Sequence, residues 1–278
     1  MSLHVDRYEY AGARGSSSPL VLLHGWGMHG GMWGSVAQQL AHNLPVMAVD
    51  LPGHGYSSIS SRGVGTLAEG NGRSASFALD AIVDKLSAQF DGPLTVCGWS
   101  LGGQIALRWA MRHPEQVMRL VTVASTPSFV RRAGWDHALS TQTLQEFADS
   151  LQHHYVLTLK RFLALQVRGI EREREWLGIL RDGLFSRGEP DLADLQSGLG
   201  ILMDYDLCSA LPGIGQPTLV LAGERDTLIP LEASQYLASN LMNGRLAVIG
   251  GAAHAPFLSH PGEFVTQVLN FLDENEHG

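Results

Sequence analysis

The chain has 278 residues, of which 45% are hydrophobic, and its formal net charge is −8. This length accommodates one α/β domain with an insertion, and the negative charge argues against a nucleic-acid-binding protein. Two cysteines, Cys97 and Cys208, exclude a disulfide framework. The sequence has no signal-peptide pattern, membrane-span-length apolar run, zinc-ligand spacing or phosphate-binding glycine loop. We therefore expect a cytoplasmic monomer that binds no membrane, metal or cofactor.

The first strong strand pattern spans residues 20–23, and the glycine-containing loop His24-Gly25-Trp26-Gly27 follows it. Glycine lets a backbone approach a ligand closely, and such a loop supplies one N–H group of an oxyanion hole. By position, that donor is the N–H group of Trp26. We interpret His24 as a residue that braces the loop. His54, in the turn over residues 50–57, is interpreted as a loop or surface residue.

The next strand pattern, residues 94–97, leads into Gly98-Trp99-Ser100-Leu101-Gly102, which matches the G-x-S-x-G nucleophile elbow. A helical pattern over residues 104–110 follows it. Because the strand and the helix crowd the positions two before and two after the serine, only very small residues fit there. Ser100 is therefore the candidate nucleophile, and the N–H group of Leu101 is the second oxyanion donor. The alternative is a glycine-rich turn with an inert serine.

Strands alternate with helical patterns up to residue 125, including a crossover helix over 77–90, and this alternation is typical of parallel βαβ units. Residues 126–205 show helical patterns without a convincing strand, and the alternation resumes at 218. We predict a mostly parallel, twisted sheet flanked by helices, made of residues 1–125 and 206–278. The segment 126–205 would form a helical cap over the active site.

The two strands that follow this insert each lead into a titratable residue. Residues 218–223 precede Asp226, and residues 245–249 precede His254. Open parallel sheets bind their ligands at loops of this kind, and a nucleophilic serine needs a base and an orienting acid. We predict that His254 is the base and Asp226 the acid, with Glu224 and Asp206 as alternative acids. A loop histidine bonded only to backbone is the alternative for His254.

These landmarks occur in the order of a known family. The chain resembles the α/β-hydrolase family over nearly its whole length. The resemblance implies an α/β-hydrolase fold with a helical cap inserted between two late strands, a Ser100–His254–Asp226 triad and no metal. The matching segments are residues 24–27, 50–57, 98–102, 223–226 and 253–254.

Within that family the chain is similar to carboxylesterases of biotin synthesis, which cleave the methyl ester of a carrier-protein-bound acyl chain. The similarity rests on the Gly-Trp-Ser-Leu-Gly-Gly elbow, on residues 120–129 and 252–261, and on Arg161-Phe162-Leu163-Ala164-Leu165-Gln166. It implies that Trp26, Leu101 and residues 162–166 contact the acyl chain beside Ser100 and His254. Trp99 would either line the same tunnel or pack behind it. The Gly/Ser-rich stretch 64–76 and residues 172–187 depart from the pattern.

The insert carries an uneven charge. Residues 152–187 hold seven cationic and four acidic side chains, a net charge of +3, on a chain whose net charge is −8. The spacing of Arg161, Arg168 and Arg172 places them near one face of a continuous helix. Such a basic face would attract an acidic partner, as acyl carrier proteins are. The alternative is a solvated helix with internal ion pairs to Glu171 and Glu175.

Other functions remain compatible with this chain. A general short-chain carboxylesterase, a lactonase or a C–C bond hydrolase of the same fold would use the same triad and differ in the cap. A ligand-sensing receptor with slow or single turnover is a further alternative, and a non-catalytic scaffold is disfavoured by the complete triad.

Overall fold

The computed structural model describes residues 2–10, 18–57 and 75–274. Within these residues, seven strands form one sheet in the order β1-β3-β2-β4-β5-β6-β7. Strand β1 pairs antiparallel with β3, and the other neighbouring pairs are parallel. The predicted α/β class is therefore confirmed. The strands are β1 Val5–Tyr8, β2 Leu20–Leu23, β3 Val46–Val49, β4 Leu94–Trp99, β5 Val117–Val123, β6 Thr218–Gly223 and β7 Gly244–Ile249.

Helices flank the sheet and form the insert between β5 and β6. The described part of the Gly/Ser-rich stretch 64–76 is only the start of α2, since residues 58–74 lie outside the described residues. The helices are α1 Gly34–Leu40, α2 Ala75–Gln89, α3 Leu101–Arg112, α4 Thr141–His153, α5 Tyr155–Gln166, α6 Glu173–Leu184, α7 Leu192–Asp204, α8 Leu231–Asn240, α9 Pro256–Ser259 and α10 Pro261–Glu274. None of the described helices is both long and apolar enough to cross a membrane.

Four of the five inner strands are buried along their full length. Every residue of β2, β3, β4 and β6 is buried. Strands covered by helices on both faces read as continuous apolar runs, which is why the sequence indicated three of them clearly. Edge strand β1 was not predicted, because its four residues include Asp6 and Arg7 and remain partly exposed.

The insert packs directly onto the sheet. Helices α4 to α7 lie between β5 and β6 in the chain. Their buried residues, such as Leu159, Leu180 and Leu195, belong to the same hydrophobic cluster as Leu22 of the central strand β2. Insert and sheet therefore share one core, and the boundaries 1–125, 126–205 and 206–278 stay a prediction.

One prediction about the insert is wrong. Arg161, Arg168 and Arg172 do not lie on a single helix, because α5 ends at Gln166 and α6 begins at Glu173. Gly169 and Arg172 have positive φ angles, of 80° and 59°. This backbone conformation is not helical, so the chain cannot continue as one helix from α5 into α6. The spacing argument assumed an uninterrupted helix. Arg172 also pairs with Glu175, as the alternative interpretation expected for this residue.

A buried ion pair joins the end of α6 to the sheet. Arg187 donates from Nη1 to both carboxylate oxygens of Asp50 at 3.0 Å, and from Nη2 to Asp6. Asp50 is fully buried and also accepts hydrogen bonds from the N–H groups of Gly30 and Tyr56. A buried carboxylate requires such partners, so Arg187 compensates the charge of Asp50.

We expect Arg187→Met to lower the free energy of unfolding by about 3 kcal/mol, since it leaves the Asp50 charge buried without its cation. The exposed Arg181, which pairs with Asp182 at the surface, is the matched control. Arg181→Met should change stability by less than about 0.5 kcal/mol. Urea denaturation of both variants measures this, and equal stabilities would contradict the role given to Arg187.

Candidate active site

The elbow holds Ser100 in a strained backbone conformation between β4 and α3. Ser100 has φ 55° and ψ −116°, in a region that L residues rarely adopt. A Cβ atom built on Gly98 would lie 2.1 Å from the carbonyl oxygen of Gly102. A Cβ atom built on Gly102 would lie 2.5 Å from the carbonyl oxygen of Leu23. The crowding expected on both sides of Ser100 is therefore present.

Two hydrogen bonds to the backbone of Ser100 keep the elbow in this strained state. The Ser100 N–H group donates to the Val123 carbonyl oxygen at 2.9 Å, and the hydroxyl of Ser125 donates to the Ser100 carbonyl oxygen at 2.7 Å. Strain of this kind persists only where the surroundings over-determine the conformation. Strand β5, which ends at Val123, therefore helps to present the serine hydroxyl.

His254 and Asp226 meet at the carboxyl ends of β7 and β6. Nδ1 of His254 lies 2.8 Å from Oδ2 of Asp226, and both side chains are buried. The other carboxylate oxygen accepts the N–H groups of Leu228 and Ile229 at 2.8 and 3.0 Å, which orients the carboxylate. Because Asp226 accepts, Nδ1 carries the proton and Nε2 of the neutral ring is a free base. Within the described residues, Nε2 has no hydrogen-bond partner.

The alternative acids have other contacts. Oε2 of Glu224 accepts the N–H group of Gly251 at 2.8 Å, so Glu224 braces the loop that leads to His254. Oδ1 of Asp206 accepts the N–H group of Cys208 at 2.9 Å. Asp226 is thus the carboxylate that the fold brings to His254.

His24 braces the glycine loop after β2. Its Nε2 accepts the Leu51 N–H group at 2.9 Å, and its Nδ1 donates to the Gly25 carbonyl oxygen at 2.8 Å. Burial, with a smaller contribution from His54, holds the pKa of His24 well below its usual range, so the ring stays neutral as these two bonds require. His54 is itself a buried loop residue rather than a surface one.

The glycine loop lies against the elbow. A Cβ atom built on Gly25 would lie 3.3 Å from Cβ of Ser100, so only glycine allows this approach without displacement. Trp26 follows in a turn closed by the Met28 N–H group and the Gly25 carbonyl oxygen. The N–H group of Leu101 begins α3 and has no intrahelical acceptor. The glycine loop and the start of α3 thus both lie beside Ser100, and the assignment of the Trp26 and Leu101 N–H groups to an oxyanion hole stays a prediction.

Ser100 and His254 line the same cavity, of about 110 Å³, between the sheet and the insert. Its wall is almost entirely apolar, and it reaches the exposed residue Thr143 at the start of α4. The remaining wall is built by side chains of the glycine loop, the insert and the segments that flank the insert. These residues are Trp26, Phe129, Leu139, Leu144, Phe147, Phe162, Leu165, Leu199, Leu202 and Leu228.

The predicted acyl contacts fall into two groups. Trp26, Phe162 and Leu165 line the cavity, whereas Leu163, Ala164 and Gln166 are not among its wall residues. Trp99 is not a wall residue either: it is buried and donates from its indole nitrogen to the His254 carbonyl oxygen.

Several wall residues escaped sequence reasoning. Phe129, Phe147, Leu199 and Leu202 come from the insert and have the spacing of ordinary core residues, so no local signal distinguishes them. Among the described residues, no group of three or more His, Cys, Asp or Glu side chains is arranged to hold a metal ion.

Comparison with known proteins agrees with this geometry. Residues 20–268 match the model of the alpha/beta hydrolase family. The chain is 39% identical to the pimeloyl-[acyl-carrier protein] methyl ester esterase of Nitrosomonas europaea, with 95% of this chain and 97% of the relative covered. It is 41% identical to the protein of the same name from Chromobacterium violaceum, with 93% and 96% covered.

Solved structures show the same fold at lower identity. The esterase EaEST from Exiguobacterium antarcticum superposes with a TM-score of 0.78 at 21% identity, covering 98% of this chain and 95% of that one. The enol-lactonase from Burkholderia xenovorans LB400 superposes with a TM-score of 0.76 at 20% identity, covering 98% and 96%.

We expect Gly98→Ala to abolish esterase activity and to lower stability by at least about 3 kcal/mol, because the new methyl group would overlap the Gly102 carbonyl oxygen. Gly178→Ala in α6 is the matched control, since a Cβ atom there meets nothing within 4 Å. That variant should gain about 0.5–1 kcal/mol. Thermal unfolding and ester hydrolysis test both, and a stable, active Gly98→Ala protein would refute the crowding argument.

Proposed function

The chain belongs to the alpha/beta hydrolase family, and on that premise we propose that it hydrolyses the methyl ester of pimeloyl-[acyl-carrier protein] to the free acid and methanol. The observation that carries the proposal is the oriented His254–Asp226 pair on the apolar cavity that Ser100 also lines. Near full-length similarity to esterases of this name supports the substrate. The reaction would serve biotin synthesis in the cytoplasm.

In the first half of the reaction, Ser100 Oγ attacks the ester carbonyl carbon while Nε2 of His254 takes the hydroxyl proton. The Asp226 carboxylate stabilises the imidazolium that forms. The N–H groups of Trp26 and Leu101 donate to the oxyanion, and one such donor is typically worth about 3 kcal/mol in the transition state. His254 then protonates the methoxide oxygen, and methanol leaves an acyl-enzyme.

In the second half, His254 removes a proton from a water molecule that attacks the acyl-enzyme carbonyl carbon. The tetrahedral intermediate uses the same oxyanion donors and collapses when His254 returns the proton to Ser100. The product is a carboxylate, formed at the end of a cavity without a charged wall residue apart from His254 when protonated. Burying an unpaired carboxylate is costly, so the cavity favours the neutral ester over the product.

The apolar wall of the cavity supports the proposal that it binds a medium acyl chain. Its wall is aliphatic and aromatic from Ser100 to Thr143, and burial of each methylene group there is worth about 0.8 kcal/mol. Thr143 is exposed and lines the cavity, so we expect the part of the substrate that stays attached to a carrier protein to leave the cavity on this side.

Exposed cations of the insert are the proposed docking site for an acidic carrier protein. Arg161 lies on α5, the helix that also supplies Phe162 and Leu165 to the cavity wall. Arg168 lies two residues beyond the end of this helix. Both are exposed, and neither has an ion-pair partner among the described residues. Arg172 is also exposed but shares its charge with Glu175.

We expect Ser100→Ala to reduce hydrolysis of the methyl ester of pimeloyl-[acyl-carrier protein] by at least about 1,000-fold, because no other nucleophile occupies the elbow. Substrate binding should persist. Methanol release measures turnover, and substrate binding to the variant is measured separately by calorimetry. Substantial turnover by the variant would contradict the assignment of the nucleophile.

We expect the double reversal Arg161→Glu, Arg168→Glu to raise KM for the carrier-linked ester about tenfold at low salt, with a smaller effect at high salt. Hydrolysis of p-nitrophenyl butyrate should not change. Arg7→Glu is the control for charge reversal outside the insert, since Arg7 lies exposed on edge strand β1 and has no ion-pair partner among the described residues. Equal loss on both substrates, or free short esters as the better substrates of the wild type, would favour a general carboxylesterase instead.

A further inference from the structure

Trp99 contacts the catalytic apparatus at three points. Its backbone directly precedes Ser100. Its indole Nε1 donates to the His254 carbonyl oxygen at 2.8 Å in a buried setting. A Cβ atom built on Gly25 would lie 3.2 Å from the indole Cε3, so the six-membered ring packs on the glycine loop. One side chain thus contacts the elbow, the oxyanion loop and the base loop.

The ring of Trp99 is held from behind. Phe257 packs edge-on against it, with ring centroids 4.9 Å apart, and Trp33 packs on Phe257 at 4.2 Å. All three rings are almost fully buried. The indole nitrogen therefore has little freedom to move away from the His254 carbonyl oxygen.

The other backbone group of His254 is held from the opposite side. Its N–H group donates to the carbonyl oxygen of Gln166, the last residue of α5, at 3.1 Å. The peptide groups on either side of the imidazole are thus bonded to two different parts of the fold. The ring itself is fixed by Asp226 at Nδ1.

We propose that Trp99 is a positioning residue for the catalytic base: its indole N–H group fixes the His254 backbone through the hydrogen bond to the His254 carbonyl oxygen. The inference rests on the proposed triad and adds a residue to it. Its consequence is specific. Loss of the N–H group should slow the chemical step and leave binding in the cavity unchanged, because Trp99 does not line the cavity.

Ring geometry supplies a discriminating pair of variants. Imidazole and the pyrrole half of indole are five-membered rings attached through Cγ, and Nε2 of histidine occupies the place of Nε1 of tryptophan. Trp99→His therefore keeps a donor near the His254 carbonyl oxygen but loses ring volume. Trp99→Phe keeps an aromatic ring but has no donor. A purely structural role predicts that histidine is the worse replacement, whereas the positioning role predicts the opposite order for kcat.

The experiment measures kcat and KM for p-nitrophenyl butyrate with the full-length variants. We expect Trp99→Phe to lower kcat by roughly 10- to 100-fold, the scale of a small misplacement of a catalytic group, with KM nearly unchanged. Trp99→His should recover most of this loss. A Trp99→Phe protein with normal kcat, or a folded Trp99→His protein as slow as Trp99→Phe, would overturn the proposal.

Trp109→Phe is the control for the loss of a buried indole hydrogen bond. Trp109 is fully buried and donates to Gln116 at 2.8 Å, near the end of α3 that is remote from the elbow. The Trp109→Phe protein should unfold at a lower temperature than the wild type and keep the wild-type kcat. Comparable loss of kcat in Trp109→Phe would show that reduced stability alone explains the Trp99 result and would overturn the positioning role.

The rate of covalent inactivation by a fluorophosphonate separates this inference from the proposed function. If the fluorophosphonate inactivates neither the wild type nor the Ser100→Ala variant, the proposed triad is refuted. Wild type that is inactivated at the same rate as Trp99→Phe would refute only the role of Trp99. We expect wild type and Trp99→His to react faster than Trp99→Phe.

Discussion

The hydrogen bond between Nδ1 of His254 and Oδ2 of Asp226 is the interaction on which the rest of the site depends. It fixes the tautomer of His254 that leaves Nε2 as a base. Both side chains are buried, so the hydrogen bond is shielded from solvent. A bond of this kind needs two loops held in register. Strands β6 and β7 supply that register as parallel neighbours, and Glu224 reinforces it by accepting the Gly251 N–H group.

The insert is part of this arrangement and does more than cover it. It supplies most of the cavity wall, and its backbone carbonyl groups accept hydrogen bonds from both sides of the reaction centre. Gln166 accepts the His254 N–H group, and Leu195 accepts the indole N–H group of Trp26. Movement of the insert away from the sheet would therefore break hydrogen bonds to the His254 loop and to the glycine loop together.

Sequence reasoning succeeded where the signal is local. The elbow, the buried strands on either side of the insert and the residues that follow them are short patterns whose physics is contained in a few residues. It failed where the signal is long-range. Strand β1 is stabilised by pairing with β3, and the cavity wall by helices distant in the chain. From the sequence, the indole of Trp99 could be assigned either to a tunnel or to packing. Its hydrogen bond to the His254 carbonyl oxygen joins residues 155 positions apart, so no local sequence pattern indicates it.

Charge shows why such distinctions matter. The segment 152–187 has a net charge of +3, yet its cationic side chains differ in burial and in ion pairing. Arg187 is used inside the fold to compensate the buried Asp50, and Arg172 and Arg181 are paired with neighbouring acids at the surface. Electrostatic attraction of an acidic partner therefore depends on a smaller exposed set that includes Arg161 and Arg168. The cavity wall holds no ionisable side chain apart from His254. This fits the proposed division of labour, in which exposed cations attract the carrier protein and an apolar wall binds the neutral ester.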